Sequence, residues 1–427
     1  MKARLFVLIV TLAAVACTVA CTSAGMRMSV KKSSTLTPAK GVVLLSATRG
    51  PILTFATDLD GNIVWRYPFD TRHGKYEPMP IEPLPDGHLM VVRAAENGVR
   101  PCPTCGADNI IEEIDLAGNS VWRLTNSQLQ ERLTAAGIPI RLAQISHDVL
   151  SLPNGHAIVL VSDTKDVVVD GRKDETRVLG AALIDLDEQH NPVWAWDTFD
   201  HLDPNRHPYF DMPDWIHGNA VIYSPDDGNL IFSSRHQSWL MKIDYENGRG
   251  NGAVLWRLGY QGDFALTNGG PSDWFYGQHA PLLISRNSTG VFRIGVFDNG
   301  NGRVLDASGA MCGKSGKPAC YSTVPIYEVD ERTHQARLVW RDTLPFFSGA
   351  VGNIQVLENG DLWFDAGFID KKRTVMREVT MEATPQTVLE IDVNRRVYRA
   401  YHLPAVDVKT SVASQDADAT TSPPATH

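Results

Sequence analysis

The segment DWIHGNAVIYSPDDGNLIFSSR, residues 214–235, contains the clearest structural signal in the chain. Two apolar runs of strand-forming residues flank an Asp-Asp-Gly-Asn turn, which predicts a β-hairpin. His217 begins the first strand and Arg235 ends the second, so the two side chains should lie next to each other. An imidazole that titrates near neutrality, beside a guanidinium fork, suits a negatively charged ligand.

Two short phrases recur along the chain. The first is a strand ending in Asp, a polar turn, and a strand ending in an aromatic residue; the second is an apolar hairpin with a Pro/Asn/Asp-Gly turn. Six copies of such a unit predict radial repetition of four-stranded sheets, an all-β fold of the six-bladed β-propeller type. We expect each blade to consist of an inner hairpin and then an outer hairpin. The first phrase contains Asp58 and Trp65, Asp115 and Trp122, Asp185 and Trp194, Asp244 and Trp256, Asp330 and Trp340, and Asp392 and Tyr398; the second covers residues 83–92, 151–160, 224–233 and 356–364, with a less regular copy at 279–297.

The two ends of the chain differ in composition from the repeats. Residues 1–20 combine two basic residues with an apolar run and small residues, the pattern of an export signal. Cysteines follow small residues at Cys17 and Cys21, so we expect lipoprotein processing, at Cys21 in preference to Cys17; ordinary signal cleavage without lipid is the alternative. Residues 21–39 are then a tether, residues 40–404 the propeller, and residues 405–427 a disordered tail. We expect residues 41–48 to complete the last blade and close the ring.

Composition limits the classes of function. The net charge of −9 argues against a nucleic-acid-binding protein, which normally has a basic face. An exported, periplasmic protein is exposed to oxidising conditions, so the other cysteines, Cys102, Cys105, Cys312 and Cys320, should form two local disulfides. A four-thiolate zinc site is the alternative. Residues 309–315, GAMCGKS, lack the spacing of a phosphate-binding loop and are better explained as a surface insertion.

Three inner hairpins have a histidine at nearly the same position before their turns: His147, His217 and His279. Inner strands of a propeller line the central channel, so these imidazoles should converge at one end of it, beside Arg235. Asp148 and Asp214 could orient the imidazoles. Asn219, Gln278 and Asn299 could donate further hydrogen bonds, and Trp215 could form part of an aromatic wall.

Three histidines with an open position also occur in catalytic zinc sites. A guanidinium beside them would repel a cation, so an anion site without metal is favoured. Histidine can act as a nucleophile there, while Arg and the neighbouring imidazoles stabilise charge on the group being transferred.

Five motifs along residues 147–303 resemble those of the bacterial arylsulfotransferases, which are exported six-bladed propellers that move a sulfuryl group from one phenol to another. They are HDVLSLPNGH (147–156), DWIHGNAVIYSPDDGNLIFSSRHQ (214–237), WRLG (256–259), YGQHA (276–280) and VFDNGNGR (296–303). The resemblance implies a ping-pong reaction between an aryl sulfate and a phenol, with no nucleotide sulfate donor and no cofactor. It implies that His279 is the nucleophile that becomes transiently sulfated. His217 and Arg235 would hold the sulfuryl oxygens, and His147 would either bind that group or serve as acid and base for the phenolic oxygen.

The sequence is also compatible with two other classes of function. The same channel end could bind an anionic aromatic or cell-wall ligand without catalysis, or a metal could support hydrolysis. Sulfuryl transfer onto the protein would separate the enzyme from the binding propeller, and inhibition by chelators would indicate the hydrolase.

Overall fold

The computed structural model of the protein describes residues 16–17, 25–47, 54–67, 76–84, 86–95, 109–170, 174–209, 213–285 and 290–404. These residues form six β-sheets, which confirms the six-bladed, all-β propeller predicted from the repeats. The inner strand of each sheet contacts the inner strands of both neighbouring sheets, so the six blades close into a ring around a central hub. Residues 405–427, predicted as a tail, lie outside the described part of the chain.

We number the blades in chain order, each from its inner to its outer strand. Blade 1 contains Tyr76–Pro83, Leu89–Ala95, Ile110–Ile114 and Ser120–Thr125. Blade 2 contains Leu142–Ser151, Ala157–Val167, Ala182–Leu186 and Pro192–Asp197, with Thr176–Leu179 paired to its second strand. Blade 3 contains Gly218–Ser224, Asn229–Ser234, Trp239–Ile243 and Val254–Leu258.

Blades 4 to 6 follow, and strands from the N-terminal region belong to blades 5 and 6. Blade 4 contains His279–Ser285, Val291–Phe297, Thr323–Asp330 and Gln335–Thr343, with Ala265–Leu266 added in parallel at its outer edge. Blade 5 contains Asn353–Val356, Leu362–Ile369, Arg373–Val379 and Thr387–Val393, followed by Met28–Lys32 and Ala16–Cys17. Blade 6 contains Val397–Leu403, Val42–Ala47, Thr54–Thr57 and Ile63–Arg66.

Ring closure uses two N-terminal strands. Val42–Ala47 pairs with the C-terminal strand Val397–Leu403, as the predicted role of residues 41–48 requires. In this last blade, blade 6, the C-terminal strand is the inner strand and the other three strands come from the N-terminal region. Met28–Lys32, inside the predicted tether, pairs with Thr387–Val393 of blade 5, because Met28 and Val30 bury their side chains there.

The recurring Asp and Trp positions have a physical explanation in the blades. Asp58 accepts hydrogen bonds from the backbone N–H groups of Asp60 and Asn62, which fixes the turn between the two outer strands of its blade. In four blades the Trp at the end of the outer strand donates its indole N–H to the next blade, whereas Trp122 donates to Glu113 within blade 1. The four bonds to the next blade run from Trp65 to Leu116 O, from Trp194 to Gly250 O, from Trp256 to Glu331 Oε1 and from Trp340 to Glu382 O.

The helices among the described residues are short. The α-helix Asn126–Ala135 follows blade 1 and begins with a capping box between Thr125 and Gln128. Three 3₁₀ turns cover Thr198–Asp200, Glu246–Gly248 and Pro271–Asp273. None of the helices in the described ranges has the length and apolar character that crossing a bilayer requires.

A disulfide joins Cys312 and Cys320 across a loop between the second and third strands of blade 4, as predicted. Cys102 and Cys105 lie outside the described residues, so their predicted pairing stays a prediction. The bonded pair has no thiols to offer to the four-thiolate zinc site considered above.

Candidate active site

Four consecutive blades share an unusual backbone conformation within, or up to two residues before, their inner strands. His147, His217, Ala280 and Val351 have φ values of 40°, 48°, 46° and 55°. Such values are uncommon outside glycine, and for a β-branched residue such as Val351 they mark real strain. The strands of blades 2, 3 and 4 shift register at the same points, as β-bulges do. The bulges therefore direct side chains and backbone N–H groups of neighbouring blades toward one end of the hub.

The predicted side-by-side arrangement of His217 and Arg235 is present. The backbone N–H of Arg235 donates to His217 O across the hairpin, at 3.3 Å. The ring of His217 lies between two other imidazoles, with centroids 4.9 Å from His147 and 4.5 Å from His236. Its Nδ1 lies 2.5 Å from Asp214 Oδ2, so Asp214 orients this ring. Burial favours the neutral form of Asp214, but His217 and His236 outweigh it and hold the pKa of that carboxyl below its ordinary value.

Arg235 is buried and held from two sides. Its Nη2 donates to Gly349 O at 3.0 Å, and its Nη1 lies 2.9 Å from His236 Nε2. His236 donates from Nδ1 to Asp214 O at 2.6 Å, so Nε2 accepts from the guanidinium. Burial, with the charge on His217, lowers the pKa of His236 to about 3, and burial lowers the pKa of Arg235 to about 10. At neutral pH the imidazole is therefore neutral and the guanidinium charged.

His279 is held in one tautomer. Its Nδ1 lies 2.6 Å from Asn299 Oδ1, and the Asn299 amide is fixed because its Nδ2 donates to Ser348 O and Val351 O, at 2.7 Å and 3.0 Å. The Nδ1 atom must therefore donate, which leaves the lone pair on Nε2. The backbone N–H of Val351 points at that atom from 3.3 Å. Burial and the charge on Arg235 hold the pKa of His279 well below its usual range, so this buried nitrogen is unprotonated at neutral pH.

His147 contacts Tyr398 of blade 6, the blade that closes the ring. Its Nδ1 lies 2.6 Å from the hydroxyl oxygen of Tyr398, and the two rings stack with centroids 5.9 Å apart. Burial and the charge on His217 lower the pKa of His147 well below its usual value. The repeat pattern had placed Tyr398 in an outer hairpin, which was wrong, because Val397–Leu403 crosses into blade 6 and becomes its inner strand.

Asn219 and Gln278 lie between blades 3 and 4. Asn219 Nδ2 donates to Gln278 O at 2.7 Å, and Gln278 Nε2 donates to Ser233 Oγ, Ser234 O and Trp239 O. Both side chains are completely buried. They fix the backbone that leads into His279.

Two predicted residues lie elsewhere. Trp215 is 1% exposed and packs in the core between blades 2 and 3, and its indole N–H donates to Arg206 O, so it is not placed to contact a substrate. The prediction for Trp215 depended on its position next to the motif, but its side chain packs into the hydrophobic core. Asp148 orients none of the imidazoles: it pairs with Arg399 at 2.8 Å and accepts from the N–H of Val221 at 2.9 Å.

His236, Tyr398 and Val351 were not predicted as site residues. His236 could have been found, because it directly follows Arg235 in the SSRHQ motif. Tyr398 and Val351 come from blades that lack a histidine at the aligned position. No local pattern in the sequence shows that their inner strands reach the same end of the hub.

Asp214, His217 and His236 also have ligand atoms within 4.8 Å of one another, close enough to hold a metal ion. In this arrangement both nitrogens of His236 are engaged, one with Asp214 O and one with the guanidinium of Arg235. A cation would have to break these bonds and sit beside a buried positive charge. The donor set therefore fits an oxyanion better than a metal ion.

Comparison with known proteins agrees with this chemistry. The family model of the arylsulfotransferases (ASST) matches residues 27–402, which span all six blades. The chain belongs to the arylsulfotransferase family. It is 23% identical, over 347 residues, to the arylsulfate sulfotransferase AssT of Escherichia coli O6:H1. That match covers 67% of this chain and 52% of AssT, so the chain spans about half the length of this curated relative.

Solved structures share the general architecture at low sequence identity. The periplasmic gluconolactonase PpgL of Pseudomonas aeruginosa is 10% identical with a TM-score of 0.47, and the match covers 86% of this chain and 99% of that one. A protein from Lactobacillus plantarum is 8% identical with a TM-score of 0.42, covering 86% and 100%. Likeness at this level says nothing about activity.

Proposed function

We propose that this member of the arylsulfotransferase family moves a sulfuryl group from a phenolic sulfate ester to a phenol by a ping-pong mechanism through a sulfohistidine at His279. No nucleotide sulfate donor and no cofactor enters the reaction. The observation that carries the proposal is the fixed tautomer of His279, whose Nε2 lone pair is buried in the same pocket as the charged Arg235.

In the first half-reaction, the Nε2 lone pair attacks sulfur, the bond from sulfur to the phenolic oxygen breaks, and a phenolate leaves. The Nε2–S bond forms while Asn299 Oδ1 continues to accept the hydrogen bond from Nδ1–H of the resulting imidazolium, which needs no movement of either group. Arg235 and the Val351 N–H, which faces Nε2 of His279, would donate to the sulfuryl oxygens, and fixed donors help most as charge develops in the transition state. When His217 is protonated, its Nε2–H adds a third donor.

In the second half-reaction, the oxygen of the acceptor phenol attacks sulfur, the Nε2–S bond breaks, and His279 returns to its starting state. The proton of the acceptor hydroxyl must go to a base. His147 serves that purpose: it is neutral, and with Nδ1–H donated to the Tyr398 oxygen its Nε2 keeps a lone pair. In the first half-reaction His147 is neutral and has no proton to give, so the first phenol leaves as phenolate. The proton that His147 takes from the acceptor then passes to solvent, which restores the neutral imidazole.

The decisive experiment is to mix the protein with 4-nitrophenyl sulfate in the absence of any acceptor or nucleotide. We expect a stoichiometric burst of 4-nitrophenol and the added mass of one SO3 group on the peptide containing His279. His279→Asn, which preserves size and polarity, should give neither. Saturable binding of the ester without modification of the protein would instead indicate a binding propeller, and loss of activity with chelators would indicate a metal-dependent hydrolase.

We further propose that the protein acts outside the cytoplasm, in the periplasm, held to a membrane through a lipid on Cys21 or Cys17. The support is the signal-like composition of residues 1–20 and the disulfide between Cys312 and Cys320. Cys21→Ser should release the protein from the membrane fraction if Cys21 is the anchor. Membrane association that survives substitution of both cysteines would refute lipidation.

A further inference from the structure

Two exposed aromatic side chains lie against backbone segments that carry groups of the candidate site. Tyr209 is 36% exposed and Phe347 is 39% exposed, whereas most aromatic residues of the blades are buried. Large exposed apolar surfaces on a soluble protein often mark binding sites. Each of these rings lies against a glycine that belongs to a segment of the site.

The Tyr209 ring lies on Gly302. A Cβ atom at Gly302 would be 2.0 Å from Cδ2 of that ring, so only a glycine allows this contact. Gly302 belongs to the segment VFDNGNGR that carries Asn299, the partner of His279. Tyr209 is also close enough to Arg235 to affect its ionisation: burial lowers the pKa of Arg235, and the charges of Asp214, Tyr398 and Tyr209 oppose that effect.

The Phe347 ring lies on Gly349. A Cβ atom there would be 3.1 Å from Cε1 of Phe347, and Gly349 O is the carbonyl that accepts from Arg235. The amide of Asn301, next to Gly302 in the chain, approaches the same glycine: its Nδ2 would lie 3.8 Å from that Cβ. The two aromatic rings thus stand on neighbouring pieces of backbone, beside the buried guanidinium.

A lysine reaches over the first ring. Nζ of Lys314 lies 5.7 Å from the centroid of Tyr209, within the range of a cation–π contact. Lys314 belongs to the loop closed by the Cys312–Cys320 disulfide, and the N–H of Cys312 donates to Arg303 O at 2.9 Å. The disulfide and this bond attach the lysine to the segment that carries Asn299. A fixed cation at this point opposes the repulsion of anions by a chain with a net charge of −9.

We propose that Tyr209 and Phe347 form the subsite for the aromatic ring of the acceptor, and that Lys314 makes this subsite selective for phenols with an additional anionic substituent. The proposal rests on the proposed sulfuryl transfer and adds the substrate class. The rings supply contact area for any phenol, while the lysine discriminates between neutral and anionic ones.

Ping-pong kinetics allow a clean test, because kcat/KM for the acceptor reports only the second half-reaction. With 4-nitrophenyl sulfate as the common donor, kcat/KM is measured for phenol and for 4-hydroxybenzoate. An exposed ion pair contributes little, so Lys314→Ala should lower the ratio of 4-hydroxybenzoate to phenol by about threefold, and Lys314→Glu by about tenfold. Added salt should lower the ratio in the wild type and leave it unchanged in Lys314→Ala. Tyr209→Ala should lower kcat/KM for both acceptors by about tenfold.

Lys317 is the matched control. It is an exposed lysine of the same disulfide loop, and no ring contact places it over Tyr209 among the described residues. Lys317→Ala should therefore leave the ratio unchanged. If Lys314→Ala and Lys317→Ala have the same ratio as the wild type while transfer proceeds, the selectivity assigned to Lys314 is wrong. If Tyr209→Ala leaves kcat/KM unchanged for both acceptors, the aromatic subsite is wrong. In either case the proposed function stands. If the wild-type protein transfers no sulfuryl group from the ester to either phenol, both proposals fall together.

Discussion

Asn299 accepts a hydrogen bond from Nδ1 of His279 at 2.6 Å and thereby leaves the lone pair of this imidazole on Nε2. The amide itself cannot turn over, because Ser348 O and Val351 O hold its Nδ2. The tautomer of the proposed nucleophile is therefore set by Asn299, whose side-chain oxygen and nitrogen both bond to other protein groups. Such positioning residues commonly affect a reaction by orders of magnitude.

Asn299→Ala should reduce the rate of the 4-nitrophenol burst by about a hundredfold, because the imidazole of His279 then samples both tautomers and rotates. The expected effect is on kcat, with KM for the donor nearly unchanged, since the sulfuryl-binding groups stay in place. Asn353→Ala is the matched control: Asn353 is a buried asparagine at the start of the next inner strand and donates to Ala400 O. Equal losses in the two variants would mean that Asn299 only stabilises the fold.

Arg235→Lys should lower kcat/KM for the donor by about two to three orders of magnitude, although the charge is retained. A lysine presents a point charge and cannot replace a fork that reaches both Gly349 O and the sulfuryl group. Steady-state kinetics with 4-nitrophenyl sulfate measures the loss, and a thermal unfolding curve checks the fold. Arg373→Lys, at the Asp392 ion pair on blade 5, should have near-normal kinetics. A mild effect of Arg235→Lys would show that charge alone suffices.

Most of the architecture could be predicted from the sequence because the repeat expresses real contacts. Asp58 and Asp115 each accept from the backbone N–H four residues further on, which fixes their turns. Trp65 and Trp194 each donate to the next blade, so the recurrence of the pattern reports the recurrence of the blade. The positions of His147, His217 and His279 in aligned inner strands likewise indicated a shared location. Periodicity shows which strand a residue belongs to, and in a propeller this nearly fixes its distance from the hub.

The parts that could not be predicted depend on pairing between distant strands. The sixth copy of the repeat follows the same local pattern as the others. Its two strands nevertheless lie in different blades, since Val397–Leu403 pairs with Val42–Ala47. Tyr398 therefore reaches His147 across 251 residues of sequence. Trp215 was misplaced for a related reason: whether an aromatic ring faces the pocket or the neighbouring blade depends on the packing of that blade.

The pH dependence of the first half-reaction should be flat down to well below pH 6.5. Nε2 of His279 is a nucleophile only when unprotonated, and burial with the charge on Arg235 holds the pKa of His279 well below its usual range. Protonation therefore inactivates the enzyme only at a pH below that lowered pKa. In Arg235→Gln the positive charge that lowers the pKa of His279 is gone, so the residual activity should begin to fall at a higher pH on acidification than in the wild type. Arg235→Lys keeps the charge and should keep the wild-type acid limb. An acid limb near pH 6.5 in the wild type would contradict the buried, charge-coupled state of His279.

We expect the free energy of unfolding of the protein to depend on pH through Asp163, a residue of blade 2. The residue is completely buried, and burial together with the charge on Asp197 raises its pKa to about 7. Between the ordinary pKa of an aspartate and pH 7 the folded protein binds a proton that the unfolded chain does not, so stability falls as pH rises through that window and levels off above it. Asp163→Asn removes this dependence, with a slope of at most about 1.4 kcal/mol per pH unit, and should be about 2 kcal/mol more stable than the wild type near pH 8. Glu188→Gln, which changes an exposed carboxylate in the turn between the two outer strands of blade 2, should keep the wild-type slope. Denaturant titrations at several pH values measure both, and a stability difference between wild type and Asp163→Asn that stays constant from pH 4 to pH 8 would show that Asp163 is already ionised in the fold.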